Sequence, residues 1–277
     1  MELKKKQQIT AFEVCLYLFF GVLALLTLYP FYNVLIVSFS NTVTSVKYSP
    51  YLFPHVFDLT GYKAIIKDVY FFKSLGTTLL VTVLGTTLNM VFSVVAAYVL
   101  SRKRLIGRKV FLSAILFTML FSGGLIPTYL VICDLQLDNT IWSMILPTMI
   151  STYYLIIMKN YFASLPPSLE EAARIDGAGP FRIFWTIVLP LIRPILTTVI
   201  VFQTMGTWND FMTPSVYISS TNKQTIVLQV FNAISTFTTN WPLFMTVTTI
   251  ALIPVFVFFI FCQRWIVAGL VAGSVKG

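Results

Sequence analysis

The stretch SLPPSLEEAARIDGAGPFRIFWTIVLPLIRP, Ser164 to Pro194, is a polar and amphipathic island in a chain otherwise dominated by apolar runs. Pro166 and Pro167 stop a helix arriving from the N-terminal side, because proline removes an amide donor and clashes with the preceding turn. Ser168 followed three residues later by Glu171 predicts a capping box, and Glu170 and Glu171 suit the positive end of a helix dipole. The new helix is predicted from Leu169 to Asp176, since Gly177, Gly179 and Pro180 supply a stop and a turn. At 1.5 Å per residue it is roughly 12 Å long. Pro180 then starts a second short helix in which Phe181, Phe184, Trp185 and Val188 are spaced to form one apolar face, with Pro190 ending or kinking it. The expected product is a helix, a turn and a helix along a membrane surface. So short a first helix is marginal alone. Two readings stay open on physics: a partner protein takes it into a groove, or Glu171 is only a cap and the loop packs on its own bundle.

The surrounding chain is 277 residues long, 57% hydrophobic and only 10% charged, against about 45–50% apolar and about 25% charged in soluble domains. Its apolar runs reach the roughly 20 residues that cross a bilayer core. They predict an all-α integral membrane fold of six transmembrane helices, Phe12 to Phe39, Ser74 to Leu100, Val110 to Ile132, Ile141 to Phe162, Leu191 to Tyr217 and Phe244 to Trp265. The basic opening Lys4 to Lys6 resembles the start of a signal peptide, but the apolar run after it is too long and lacks a small-residue cleavage site, so a retained first span is expected. The expected layout is residues 1–11 as N-terminus, 12–265 as the transmembrane domain, an outer loop at 40–73 of irregular structure, the cytoplasmic loop 163–190, a second outer loop at 218–243, and a cytoplasmic tail at 266–277.

Orientation follows from the basic residues, which resist translocation in short loops. With both termini inside, fourteen of the nineteen Lys and Arg are cytoplasmic, among them Arg102, Lys103, Arg104, Arg108, Arg174, Arg182 and Arg193, and five, Lys47, Lys63, Lys67, Lys73 and Lys223, lie outside. The net charge of +9 is thereby assigned to helix ends facing anionic headgroups rather than to nucleic acid. Cys15, Cys133 and Cys262 sit in or beside apolar runs and read as buried hydrophobes. His55 has no clustered ligands around it and reads as a loop residue, so no metal is expected.

The spacing Glu171, Ala172, Ala173, three residues, Gly177, nine residues, Ile187, one residue, Leu189, Pro190 resembles the EAA loop of bacterial ABC-importer permeases. The fuller string EEAARIDGAGPFRIFWTIVLPL is similar to the carbohydrate-importer branch, the maltose-importer type. The end of the chain, QRWIVAGLVAGSVKG from Gln263 to Gly277, resembles the tail of the second permease subunit of those systems. FSGGLIPTYL at Phe121 to Leu130 and WNDF at Trp208 to Phe211 look closer to permeases for complex oligosaccharides, including the LplC-like group. The resemblance covers the whole chain, with its specific motifs in the loop and tail, and implies the type I ABC-importer (MetI-like) permease fold.

What the resemblance implies is a transport subunit for a sugar or oligosaccharide. Glu170, Glu171, Ala172, Ala173, Asp176, Gly177, Leu189 and Pro190 become the ATPase-coupling set, with Gly273, Lys276 and Gly277 as a tail contact to the ATPase. The implied partners are a second homologous permease, two ATPase subunits, an extracytoplasmic solute-binding protein and membrane lipid. No cofactor is expected on this chain: it lacks a GxxxxGK[ST] sequence, so ATP and Mg belong to the partner ATPase. Asn222, Asn232, Asn240 and Trp241 fall in the outer loop that meets the binding protein in relatives. For the pathway, Asp210 stands out because an ionisable group near a span tends to face water or a partner. Trp208, Asn209, Gln203, Tyr153 and Asn89 join it as candidate lining, though single polar side chains in spans also serve only to join helices. The competing reading is an ion-coupled secondary transporter or channel, which needs intramembrane acids; apart from Asp210 and Glu13 the spans carry none.

Overall fold

Apolar helices break where proline, paired glycines or polar side chains interrupt their hydrogen-bond ladder, and three of the six expected spans carry such interruptions. The computed structural model describes residues 11–41, 53, 56–236 and 240–274, which include no sheet strand; the expected loop position of His55 lies outside them. The described chain divides into two units, residues 1–68 with 232–253, and residues 69–231 with 254–277.

In the first unit, α1 (Ala11–Ser38) is an apolar helix exposed along nearly its whole length, and it matches the expected first span. Cys15 is exposed on it, contrary to the buried position expected, because none of the described residues covers that stretch. The 40–73 loop is less irregular than expected. Ser40 pairs with Phe57 in an isolated antiparallel bridge, and α2 (Thr60–Ile66) follows. Phe39 stacks on Phe57 and Tyr62 with ring centroids 5.3 and 4.8 Å apart. Asp58 starts α2 by accepting from the Thr60 amide at 2.8 Å and the Thr60 hydroxyl at 2.6 Å. Those bonds hold its carboxyl below the usual aspartate range, with help from Asn41 and Lys63.

The second unit is organised by α3 (Val69–Ser101), which starts ahead of the expected Ser74. It packs on α7 (Thr152–Ser164) and α10 (Arg193–Trp208). Their contact forms a core in which Val94, Ala97 and Leu100 of α3 meet Leu155, Met158 and Phe162 of α7. Three of the expected spans are interrupted or bent. The third is two helices, α4 (Arg108–Leu120) and α5 (Leu125–Asp134), bent by 113°. The cause is Gly123–Gly124: Gly124 sits at φ +85°, ψ 179°, a conformation essentially restricted to glycine. The fourth is α6 (Ile141–Ile145), a 3-10 turn holding Pro147, and α7, bent by 41°. The fifth begins at a 75° bend at Ile192, where α9 (Pro180–Leu191) of the preceding loop meets α10 and Pro190 and Pro194 each remove a backbone donor. Beyond α10 the chain breaks at Asn209–Phe211 and resumes as α11 (Met212–Tyr217).

The second outer loop carries a 3-10 turn at Thr221–Lys223 and α12 (Ile226–Thr236). Finally α13 (Trp241–Ser274) runs through most of the expected tail. Residues 266–274 contain no proline, so no missing amide donor ends the helix at Trp265.

Candidate functional site

The EAA-type helix forms as α8 (Ser168–Ile175). The Pro166–Pro167 stop and the glycine turn operate as read, with Gly177 at φ +77°, where a side chain would be strained. The capping box does not form: Pro167 occupies the cap position, Ser168 is already helical, and no side-chain cap bond is made. The amides of Leu169, Glu170 and Glu171 instead reach the backbone carbonyls of Pro166 and Pro167 at 3.1–3.3 Å.

On α8 the two buried residues are Glu170 and Ala173, one helical turn apart and therefore on one face. Glu171, Ala172, Arg174 and Asp176 are exposed, and Ile175 is 87% exposed. Ala173 joins the core formed by α3 and α7. Glu170 is bound by Arg102 at the end of α3, an ion pair the sequence reading missed. Arg102 also lies over the Tyr98 ring at 4.1 Å, and Tyr98 contacts Phe162 of α7 and Phe184 of α9 with centroids 5.5 and 4.9 Å apart.

The apolar face expected on the second short helix is placed differently. Ile183 and Val188 are buried, whereas Phe181 is 81% and Trp185 62% exposed. A π-helical turn at Phe184–Val188 widens the ladder before Pro190, so a turn takes more residues than the 3.6 assumed and the side chains fall out of that register. Pro190 lies in the final turn with Leu189, one residue before the helix ends, with the bend following at Ile192, and both are half-buried.

The candidate pathway residues do not form one wall. Gln203 and Asp210 line a cavity of about 430 Å³ with Val81, Met144, Thr148, Ser151, Thr207 and Thr225. Gln203 is buried and donates to Thr207 at 3.2 Å, and the Thr225 hydroxyl is buried with no protein partner. Asp210 also accepts the Thr213 amide at 3.1 Å, which starts α11. Trp208 and Asn209 instead line a separate cavity of about 280 Å³ with Thr82, Thr86, Thr204 and Phe258. Asn89 is fully buried and donates to the Thr148 carbonyl at 2.9 Å, tying α3 to the turn after α6. Tyr153 is exposed at the start of α7, facing the Tyr154 ring, and lines none of these cavities.

Among the outer-loop candidates, Asn222 is exposed on its 3-10 turn. Asn232 is half-buried on α12, and Asn240 accepts the Leu243 amide at 3.2 Å, capping α13. Trp241 is half-exposed on the first turn of α13. Gly273 falls in α13, while Lys276 and Gly277 lie outside the described residues.

A latch that sequence reasoning missed holds the turn after α5 to the segment after α11. Asn139 donates to the Ser220 hydroxyl at 2.7 Å and accepts the Ser220 amide at 3.0 Å. Its amide donates to the Tyr217 carbonyl at 2.8 Å, and Lys223 donates to its carbonyl at 2.7 Å. The WNDF and SGG motifs gave no hint of it; the Asp138–Asn139 pair was the available turn signal.

Comparison with known proteins agrees with this architecture. Residues 89–271 match the family described as binding-protein-dependent transport system inner membrane component. The chain is similar to Protein LplC of Bacillus subtilis (strain 168), 36% identical with 96% of this chain and 95% of the relative covered. It is 38% identical to the polygalacturonan/rhamnogalacturonan transport system permease protein YtcP of the same organism, over 96% of this chain and 98% of YtcP. A solved structure, the crystal structure of a bacterial ABC transporter involved in the import of the acidic polysaccharide alginate, superposes with a TM-score of 0.83 at 28% identity, covering 95% of this chain and 98% of that one. A family match across most of the chain, near-full-length relatives and a shared fold together make this chain a member of the binding-protein-dependent transport system inner membrane components, the permease subunits of ABC importers.

Proposed function

We propose that this chain carries a sugar or oligosaccharide across the cell membrane as one of two permease subunits, drawing its energy from a separate ATPase that docks on α8. The observation that carries this reading is the two-faced construction of α8. Glu170 and Ala173 turn inward, and Glu171, Ala172 and Ile175 are left outward with no apolar cover. A rod of this length needs a second surface to hold it, and an exposed Ile175 with the small, exposed Ala172 suits close approach in a partner's cleft. The reading that the loop packs only on its own bundle accounts for the inward face alone.

In this proposal Glu171 makes a polar contact with the ATPase, and Gly177 sets the turn that presents α8 with Asp176 at its end. Leu189 and Pro190 join the loop to α10. ATP and magnesium bind the partner, because the chain has no phosphate-cradling GxxxxGK[ST] sequence. Two ATPase subunits and a second permease complete the assembly, and both termini lie in the cytoplasm. A binding protein outside the cell delivers the cargo against the outer segments that include Asn222, Asn232, Asn240 and Trp241. The tail, with Gly273, Lys276 and Gly277, approaches the ATPase. Gln203 and Asp210 face the passage, since the cavity they line combines apolar walls with a few polar groups and is large enough for a small ligand at about 430 Å³. An ion-coupled mechanism has no support among the relatives.

Glu171→Lys and Ala172→Arg test the docking. Both positions are exposed, so insertion and folding are preserved, while each places a cation or bulk on the outward face. Sugar uptake into vesicles holding the assembled importer is expected to be lost in both. Unchanged ATP-dependent uptake would refute the docking assignment.

A further inference from the structure

We propose that Arg102 and Glu170 form the joint that converts movement of α8 into movement of α3, so that both are positioning residues for energy coupling. The inference rests on the docking role of α8 proposed above and goes beyond it, since it concerns the face that α8 turns toward this chain's own bundle.

Little within this chain's described residues holds α8. The helix has eight residues, of which only Glu170 and Ala173 are buried. Ala173 supplies a methyl contact to the core, which resists separation but not sliding or rotation. The ion pair is directional. Arg102 presents a planar guanidinium, clamped on its face by the Tyr98 ring at 4.1 Å and on its edge by the Glu170 carboxylate. Tyr98 is in turn wedged between Phe162 of α7 and Phe184 of α9. A push on α8 therefore reaches α3 through Arg102, and α7 and α9 through Tyr98.

The end of α3 is itself braced. Arg108 donates from Nε to the Leu100 carbonyl at 2.8 Å, and the Arg102 amide donates to the Val99 carbonyl at 3.1 Å. The site receiving the push is thus stiff, and α3 carries it into the core it shares with α7 and α10. Along the way α3 passes both cavities, through Val81 for the larger and Thr82 and Thr86 for the smaller.

Stability alone does not account for an ion pair here. A buried or half-buried pair contributes little net stability, because desolvation offsets the attraction, and well-packed apolar residues often do as well. What the pair provides instead is a fixed orientation between two helices that would otherwise slide past each other.

The test uses the complete importer, reconstituted with its ATPase, partner permease and binding protein, and compares Glu170→Gln, Arg102→Gln, Arg102→Glu and the swap Arg102→Glu with Glu170→Arg. Three quantities are read: ATPase co-purification, ATP hydrolysis and sugar transported per ATP. The joint predicts that the single variants keep the ATPase and its hydrolysis while transport per ATP falls on the order of tenfold, the usual scale of a lost coupling term. The swap is expected to restore most of that ratio. Wild-type transport per ATP in Arg102→Glu would overturn the proposal. So would loss of ATPase association in the singles in proportion to transport without rescue by the swap, since that marks a merely structural role. If the wild-type chain itself fails to retain an ATPase, the docking reading fails instead, which is a separate outcome.

Discussion

Replacing Asn139 by alanine is expected to release the segment that follows α11 without unfolding the bundle. The substitution removes the donor to the Ser220 hydroxyl and the acceptor of the Ser220 amide, two bonds of 2.7 and 3.0 Å. Each contributes about 0.5–1 kcal/mol in a half-exposed setting. Asn139 also sits at φ +52°, a left-handed conformation that costs alanine about 1 kcal/mol. Together the change weakens the latch by about 2–3 kcal/mol, which corresponds to roughly 30- to 150-fold faster opening-limited exchange. Hydrogen exchange of the nanodisc-embedded protein, read at amides 218–224, measures this directly. Asn139→Gly loses the same two bonds but tolerates the backbone conformation, so it should fall between wild type and alanine by roughly 1 kcal/mol. Exchange at 218–224 that is unchanged in Asn139→Ala, or glycine exchanging faster than alanine, would refute the reasoning.

Two further outcomes follow from single buried or charged groups. Thr78 of α3 accepts the Ile226 amide at 2.7 Å where both residues are buried, so Thr78→Val strands that donor and should cost about 1–3 kcal/mol, read as a lowered midpoint in reversible denaturant unfolding in micelles; an unchanged midpoint would count against it. Asp58, whose carboxyl is held below the ordinary aspartate range by Thr60, stabilises the start of α2 above the unfolded-state pKa and loses that contribution as pH falls through its lowered folded value. A carboxyl-carbon NMR titration, assigned with Asp58→Asn, should place its midpoint below about 3.9, and a midpoint at or above that value contradicts the bonding described.

The parts of this architecture that could be read from sequence were those set by local chemistry. Pro166–Pro167 and Gly177 bracket α8 within one residue of its expected limits, because proline and a left-handed glycine act on their own backbone. The capping box failed for an equally local reason. Pro167 already has helical dihedrals, which moved the helix start one position and left Ser168 inside it. The third span looked continuous because hydropathy averages over Gly123–Gly124, although the paired glycines were the visible sign of a break. The split of the WNDF residues between two cavities follows from the break after α10: Trp208 is the last helical residue, whereas Asp210 lies in the break and lines the cavity that Gln203 lines. Arg102 was counted only as a topology charge. Its partner lies 68 residues away, and no periodicity reports a pairing over that distance.

The central claim is that the outward face of α8 is the surface an ATPase grips. A photo-crosslinking amino acid at Ala172, in membranes where the whole importer is assembled, tests it most directly, with Asn222 as the control position. The account predicts ATP-state-dependent crosslinks from position 172 to a subunit bearing a GxxxxGK[ST] sequence, and none from 222. Crosslinks from 172 confined to the permease itself, or labelling of that position by a membrane-impermeant reagent added outside intact cells, would contradict it.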